Sequence, residues 1–192
     1  MNHHERIKHT EEWRDVVGYE GYYQVSDRGR VKGLERIDSR GRLREERVLK
    51  PLLHYKGYRT IHLHKDGHCK TVKLHRAVAS AFLEDFSDKK QVDHIDGDRS
   101  NNMVENLRMA TNSENKANMK KISGLSSKYK GVYWHKATGK WCAAVKKDGR
   151  PIHIGTFCNE VDAARAYDEK VVNLFGEFSN TNENMGLLND AP

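Results

Sequence analysis

Apolar and polar positions change period several times along these 192 residues. Between residues 57 and 74 they alternate. Tyr58, Thr60, His62 and His64 fall on one side of a strand, and Arg59, Ile61, Leu63 and Lys65 on the other. Lys65-Asp66-Gly67 predicts the turn of a hairpin, because Asp-Gly accepts the left-handed backbone that tight turns need; Thr71-Val72-Lys73-Leu74 returns. The run His75–Leu83 then has helical spacing, with Val78, Ala81 and Phe82 on one side. Further on, three strand-like runs appear at Gly131–Lys136, Trp141–Lys147 and Pro151–Phe157, separated by Ala137-Thr138-Gly139-Lys140 and by Asp148-Gly149. A helix follows over Glu160–Phe175, with Val161, Ala164, Tyr167, Val171 and Leu174 on one side. Asn159 caps its start with Asp162 three residues on, and Gly176 ends it. Near the beginning, Trp13 to Val31 mixes aromatic and β-branched residues with Gly and Asp. That mixture predicts short strands and tight turns, with Trp13, Tyr23 and Val25 inside a small β core. The fold class is α+β.

Composition argues for several modules. Hydrophobic residues make up 36% of the chain and charged ones 32%, a thin apolar supply for one large core. The net charge of +7, from 34 Lys+Arg against 27 Asp+Glu, suits a polyanionic partner. It is unevenly spread: residues 93–125 hold equal numbers of basic and acidic side chains, and the stretches on either side are basic. Residues 32–50 carry Arg36, Arg40, Arg42, Arg44, Arg47 and Lys50 among acids, an exposed linker or hairpin that could follow a phosphate backbone. Cys69, Cys142 and Cys158 are odd in number and widely spaced, which supports neither a disulfide framework nor a cysteine zinc site and points to a reducing compartment. No apolar run approaches the ~20 residues of a membrane span, so no membrane partner is expected. His3-His4 belongs to a loose terminus, and His62, His64 and His68 read as strand histidines on a wet face rather than a metal cluster.

Candidate chemistry concentrates between Val92 and Asn115. A short segment delivers Asp93 and His94 side by side, Asp96-Gly97-Asp98 turns the chain, and Asn106–Met109 returns it. Ser113-Glu114-Asn115 opens a helical run through Met119. Asp93 and Asn115 offer the oxygen ligands that a hard cation such as Mg²⁺ takes, with water and phosphate completing its shell. His94 can accept a proton from water near neutral pH and projects to the other face from Asp93. Asn106 is better suited to tying the loop together through its amide. A solvated acidic turn is the plain alternative for Asp93–Asp98, and His75 is better read as a structural helix-start residue than as a second catalytic histidine.

The ordered set Asp93-His94, Asn106-Leu107 and Glu114-Asn115 resembles the HNH nuclease motif of phage and intron-encoded homing endonucleases. That resemblance implies a ββα-metal core and cleavage of one DNA strand with a single divalent metal, Mg²⁺ or Mn²⁺. Asp93 and Asn115 would then be the metal ligands, His94 the general base and Asn106 the middle Asn of the catalytic set.

Two flanking stretches carry further resemblances. Trp13, Gly18-Tyr19-Glu20-Gly21, Val25-Ser26 and Gly29-Arg30-Val31 look like NUMOD4, a module associated with HNH endonucleases. Lys130-Gly131-Val132, Gly139-Lys140-Trp141, Ile154-Gly155-Thr156-Phe157 and Ala163–Asp168 resemble an AP2/ERF DNA-binding domain. In that family the exposed sheet face enters the major groove, which implies DNA contacts from Lys130, Tyr133, Lys136, Trp141, Lys146 and His153, joined by Arg40, Arg42 and Arg44 from the charged stretch. Trp141 could equally be plain core.

The expected organisation is a flexible start over 1–10, a NUMOD4-like module over 11–53, the nuclease over 54–120 and a linker over 121–127. An AP2-like domain follows over 128–182, then a tail over 183–192 expected to be disordered beyond Asn184. Two functional readings stand. One is a metal-dependent endonuclease on double-stranded DNA, nicking as a monomer in the cytoplasm of a bacterial host of a phage or mobile element. The other is a non-catalytic DNA-binding regulator that keeps only the HNH fold.

Overall fold

The computed structural model describes residues 10–38, 40–121, 124 and 126–189. Residues 1–9, with His3-His4 and most of the expected flexible start, lie outside the described residues. The chain forms two compact units. One is built from the residues up to Asp88 together with Asp98–Met109, the other from Lys89–Gly97 together with Ala110 onward.

The first unit opens with β1 (Trp13–Asp15), β2 (Tyr23–Ser26) and β3 (Val31–Gly33), an antiparallel meander. Tyr23, Val25 and Val31 are buried as their alternation predicts, whereas Trp13 is half-exposed beneath the cations of Arg30 and Lys32. The charge-dense stretch is a hairpin of β4 (Arg36–Ile37) and β5 (Leu43–Arg44), followed by β6 (Arg47–Val48), which adds to β3. Next come β7 (Leu52–Leu53), β8 (Arg59–Lys65) and β9 (His68–Lys73), a sheet whose Asp66-Gly67 turn has φ of 52° and 79°. The α1 helix (Leu74–Phe82) packs its Leu74, Ala77 and Val78 side on β1, β2, β8 and β9. Each large side chain so buried contributes roughly 1.5–3 kcal/mol. Arg14 ties β1 to the end of α1, donating to the Ala81 carbonyl at 3.0 Å and stacking over Phe82. The Tyr23 hydroxyl donates to the His64 carbonyl and accepts from the His64 N–H, so the first meander and β8 share one framework.

The loop Asp98–Asn106 is docked within this unit. Arg99 donates to the Lys56 carbonyl at 2.9 Å and lies over the Tyr58 ring. The Val104 N–H donates to Asp27 at 2.7 Å. Gly29, at φ +72°, comes so close that a Cβ would sit 2.8 Å from the Asn102 carbonyl oxygen. Gly29→Ala should therefore cost about 2–4 kcal/mol, from left-handed strain plus overpacking, read as a lower urea midpoint for this unit.

The second unit begins with β10 (Gln91–His94); after the loop, β11 (Leu107–Ala110) leads across the unit boundary into α2 (Asn112–Asn118). This helix starts one residue before the expected Ser113. Thr111 is its N-cap and makes a capping box with Glu114, each accepting the other's backbone N–H. Then β12 (Val132–His135), β13 (Lys140–Lys147) and β14 (Arg150–Phe157) form an antiparallel sheet, and α3 (Glu160–Phe175) covers one face. Asn159 caps α3 through the Val161 N–H at 2.7 Å. Tyr129, Val132, Ala143, Ala163, Ala164, Tyr167 and Val171 form its core. Small alanines on α3 let helix and sheet approach closely.

Ser127, placed in the linker, is buried and its hydroxyl accepts from the Tyr129 N–H. Residues 122, 123 and 125 of that linker lie outside the described residues. The tail is ordered into turns through residue 189, with Met185, Gly186 and Leu187 donating back to Thr181, Glu183 and Asn182. Leu187 and Leu188 explain this: both pack against the α3 core.

Candidate active site

The residues of β10 alternate sides, so Gln91 and Asp93 share one face and His94 projects from the other. On α2, Asn115 and Asn118 are three residues apart and share a face. The two faces meet. Asn115 donates its amide to the Gln91 side-chain oxygen. Asn118 donates to both Asp93 carboxylate oxygens at 3.1 Å, to the His94 carbonyl at 2.7 Å and to the Ile95 carbonyl at 3.4 Å. Asp93, His94 and Asn118 are 4%, 5% and 6% exposed, so the centre is well buried.

Asn118 was not legible as a site residue from the motif alone. The available signal was its spacing, one helical turn beyond Asn115. Asn106 ends a 3₁₀ turn (Val104–Asn106) in the first unit, buried, with its amide donating to the Asn101 carbonyl at 2.9 Å. His75 is buried in α1 with its ring 5.0 Å from that of Tyr58.

The oxygens offered here are one carboxylate and amide carbonyls on α2, the donors that Mg²⁺ or Mn²⁺ takes with water and phosphate filling the remaining positions. A carboxylate keeps lone pairs for a cation after accepting an amide hydrogen shared between its oxygens. Among the described residues no group of three or more His, Cys, Asp or Glu could hold a metal ion.

The expected DNA-contacting side chains separate into two sets. Arg40, Arg42 and Arg44 are exposed on the β4–β5 hairpin. Asp38 holds its shape, accepting from the Arg40 and Arg42 backbone N–H groups and from the Arg44 guanidinium. These bonds, with the Arg42 N–H first, keep the Asp38 carboxyl below the usual carboxylate range. On the C-terminal sheet, Tyr133 pairs with Cys142 and His153 with Ala144, so Tyr133, Lys146 and His153 lie on the face away from α3. All three are exposed, as is Lys136 in the turn after β12.

Trp141 and Lys130 are placed differently. Trp141 shares a face with Ala143, packs against the core beneath α3 and meets Trp134 edge to face at 5.0 Å. Lys130 precedes β12 and its ammonium is turned inward, donating to the Ala117 carbonyl and to the Asn180 carbonyl at 2.9 Å. Burial pushes its pKa down to about 8 from the ordinary 10.5, although the Asp168 carboxylate works in the opposite direction. Between those two pH values the unfolded chain binds a proton that the folded chain has shed, so this group makes stability rise with pH. Lys130→Met should abolish that rise. The check is the difference in urea midpoint between variant and parent across the same window; a flat difference contradicts the burial.

Comparison with known proteins bears on the same stretch. Residues 72–117 match the HNH endonuclease family. The HNH stretch takes in Asp93, His94, Asn106 and Asn115 and stops one residue short of Asn118. Residues 11–64 match the NUMOD4 motif, which thus runs on into β8. The chain is 39% identical over 107 residues to the DNA endonuclease I-HmuI of Bacillus phage SP01, covering 56% of each protein. It is therefore similar to little more than half of that relative's length. A solved structure, described as DNA binding and cleavage by the HNH homing endonuclease I-HmuI, is 40% identical and gives a TM-score of 0.47 over 56% of each chain. APETALA2-like protein 2 of Oryza sativa is 32% identical over 65 residues, 34% of this chain and 15% of that protein. Among the described residues, no helix is long and apolar enough to cross a membrane.

Proposed function

We propose that the chain is a divalent-metal-dependent endonuclease of the HNH homing type that hydrolyses a phosphodiester bond in double-stranded DNA, nicking one strand as a monomer. The cytoplasm of a bacterial host of a phage or mobile element is its place of action. The observation that carries this reading is the Asp93-His94 pair on β10, inside the HNH match, with its carboxylate held by Asn118 of α2.

In this reading Asp93 and Asn115 hold Mg²⁺ or Mn²⁺, which when bound stabilises charge on the scissile phosphate and the leaving oxygen. His94, on the other face of the strand, takes the proton from the attacking water. Asn106 keeps the loop before β11 folded through Asn101. The exposed arginines of the β4–β5 hairpin and the outward face of β12–β14, with Tyr133, Lys136, Lys146 and His153, hold the duplex mainly by its phosphates, because Lys lacks the two-pronged fork by which Arg reads a base.

Supercoiled plasmid carrying a candidate site tests the reading. Relaxation by the protein with Mg²⁺ should be lost on adding EDTA. Binding without relaxation under either metal would favour the non-catalytic regulator, which the similarity to an APETALA2-like protein also fits.

A further inference from the structure

We propose that Asn180, supported by Lys130, is a positioning residue for the metal centre: the C-terminal module grips the last turn of α2 and thereby sets the Asp93 carboxylate through Asn118. This rests on the reading of Asp93 as a metal ligand.

Helix α2 has only seven residues, too few to hold itself together in water. Its final carbonyls have no partners within the helix. Two of them are satisfied by Lys130 and Asn180 of the C-terminal module. The Ala117 carbonyl accepts from the Asn180 N–H at 3.2 Å and from the Lys130 ammonium. The Asn118 carbonyl accepts from the Asn180 side-chain amide at 3.1 Å. Lys130 also donates to the Asn180 carbonyl, closing a ring of contacts, and its cation lies where the helix dipole favours positive charge.

The grip is itself anchored. Asn182 is fully buried; it accepts from the Lys130 N–H at 2.6 Å and donates its amide to the Asp168 carboxylate of α3 at 2.8 Å. The Asn182 N–H donates to the same carboxylate oxygen at 2.8 Å. From α3 the path runs through Asn182, Lys130 and Asn180 to the Asn118 backbone, and the Asn118 amide then fixes both oxygens of Asp93. Asn118 already spends its amide hydrogens on Asp93 and on the His94 and Ile95 carbonyls, so it orients the carboxylate. Outer partners of this kind change metal affinity about 10–100-fold when removed.

The experiment uses the full chain and its Asn180→Ala, Asn118→Ala and doubly substituted forms. Mn²⁺ binding is followed by electron paramagnetic resonance of the free ion, nicking by plasmid relaxation over a Mn²⁺ series, and duplex binding by anisotropy in EDTA. Asn180→Ala should weaken Mn²⁺ binding about tenfold and shift the Mn²⁺ dependence of nicking equally. Its rate should recover at saturating Mn²⁺, with DNA affinity in EDTA unchanged. The double variant should lose no more than Asn118→Ala alone, because both act on one path. Asn180→Asp, which keeps size and backbone but not the side-chain donor, carries the test if thermal melts show that Asn180→Ala is unfolded. Parent-like Mn²⁺ affinity in the Asn180 variants, or additive losses in the double variant, overturns the proposal while nicking by the parent leaves the nuclease standing. A parent that binds Mn²⁺, loses affinity on Asn180→Ala and yet nicks nothing sinks the nuclease reading alone. A parent that binds no Mn²⁺ ends both.

Discussion

His94→Ala should lower plasmid nicking by about 10²–10⁴-fold, the usual contribution of a positioned general base, and leave DNA affinity in EDTA unaltered. The separation of the two readouts is what matters. His94 is 5% exposed on the face of β10 away from Asp93, so it offers little surface to a bound duplex. Asp93→Ala should be at least as damaging to nicking, and it should also remove the response to Mn²⁺. If His94→Ala nicks at the parental rate, the water is activated elsewhere and the assignment of this histidine is wrong. If affinity falls in step with nicking, the residue holds structure or DNA rather than moving a proton.

Gly131→Ala should destabilise the C-terminal module by about 3–5 kcal/mol. Gly131 has φ +77°, and a Cβ there would lie 2.0 Å from the ring of Tyr167. The backbone at the start of β12 thus runs directly over that ring, which sits in the core. Both parts of the penalty act together, because an alanine is strained in the left-handed region and has no space for its methyl group. Urea unfolding followed by the fluorescence of Trp134 and Trp141, both in this module, reads the loss. Trimming the ring with Tyr167→Ala should return part of it, making the pair less than additive. A midpoint unchanged by Gly131→Ala would mean that the Tyr167 ring has another place to go.

Local signals in the sequence carried much of this architecture. Asp66-Gly67 marks the β8–β9 turn, Asn159 and Gly176 bracket α3, and the alternating residues of β8 place Ile61 and Leu63 inside. The Thr111-x-x-Glu114 box was equally available and places the start of α2 more sharply than Ser113 does. What failed to show was long-range. Trp141 reads equally as a surface aromatic or as core until its partner across the sheet and its common face with Ala143 are known. Lys130 reads as a phosphate ligand because nothing nearby in the chain reveals the Ala117 and Asn180 carbonyls that receive it. The tail is polar on average, yet two leucines among its last residues are enough to find the α3 core. The motif spacing picked out Asp93, His94, Asn106 and Asn115, whereas Asn118 required the register between β10 and α2.

The contacts from Lys130 and Asn180 to the end of α2 also bear on how such proteins can be recombined. A chimera spliced at Ser126-Ser127, with a foreign DNA reader downstream, would strip two backbone acceptors of their donors. Unless the transplanted part supplies an amine and an amide at equivalent places, the recipient should inherit a frayed helix along with its new partner module.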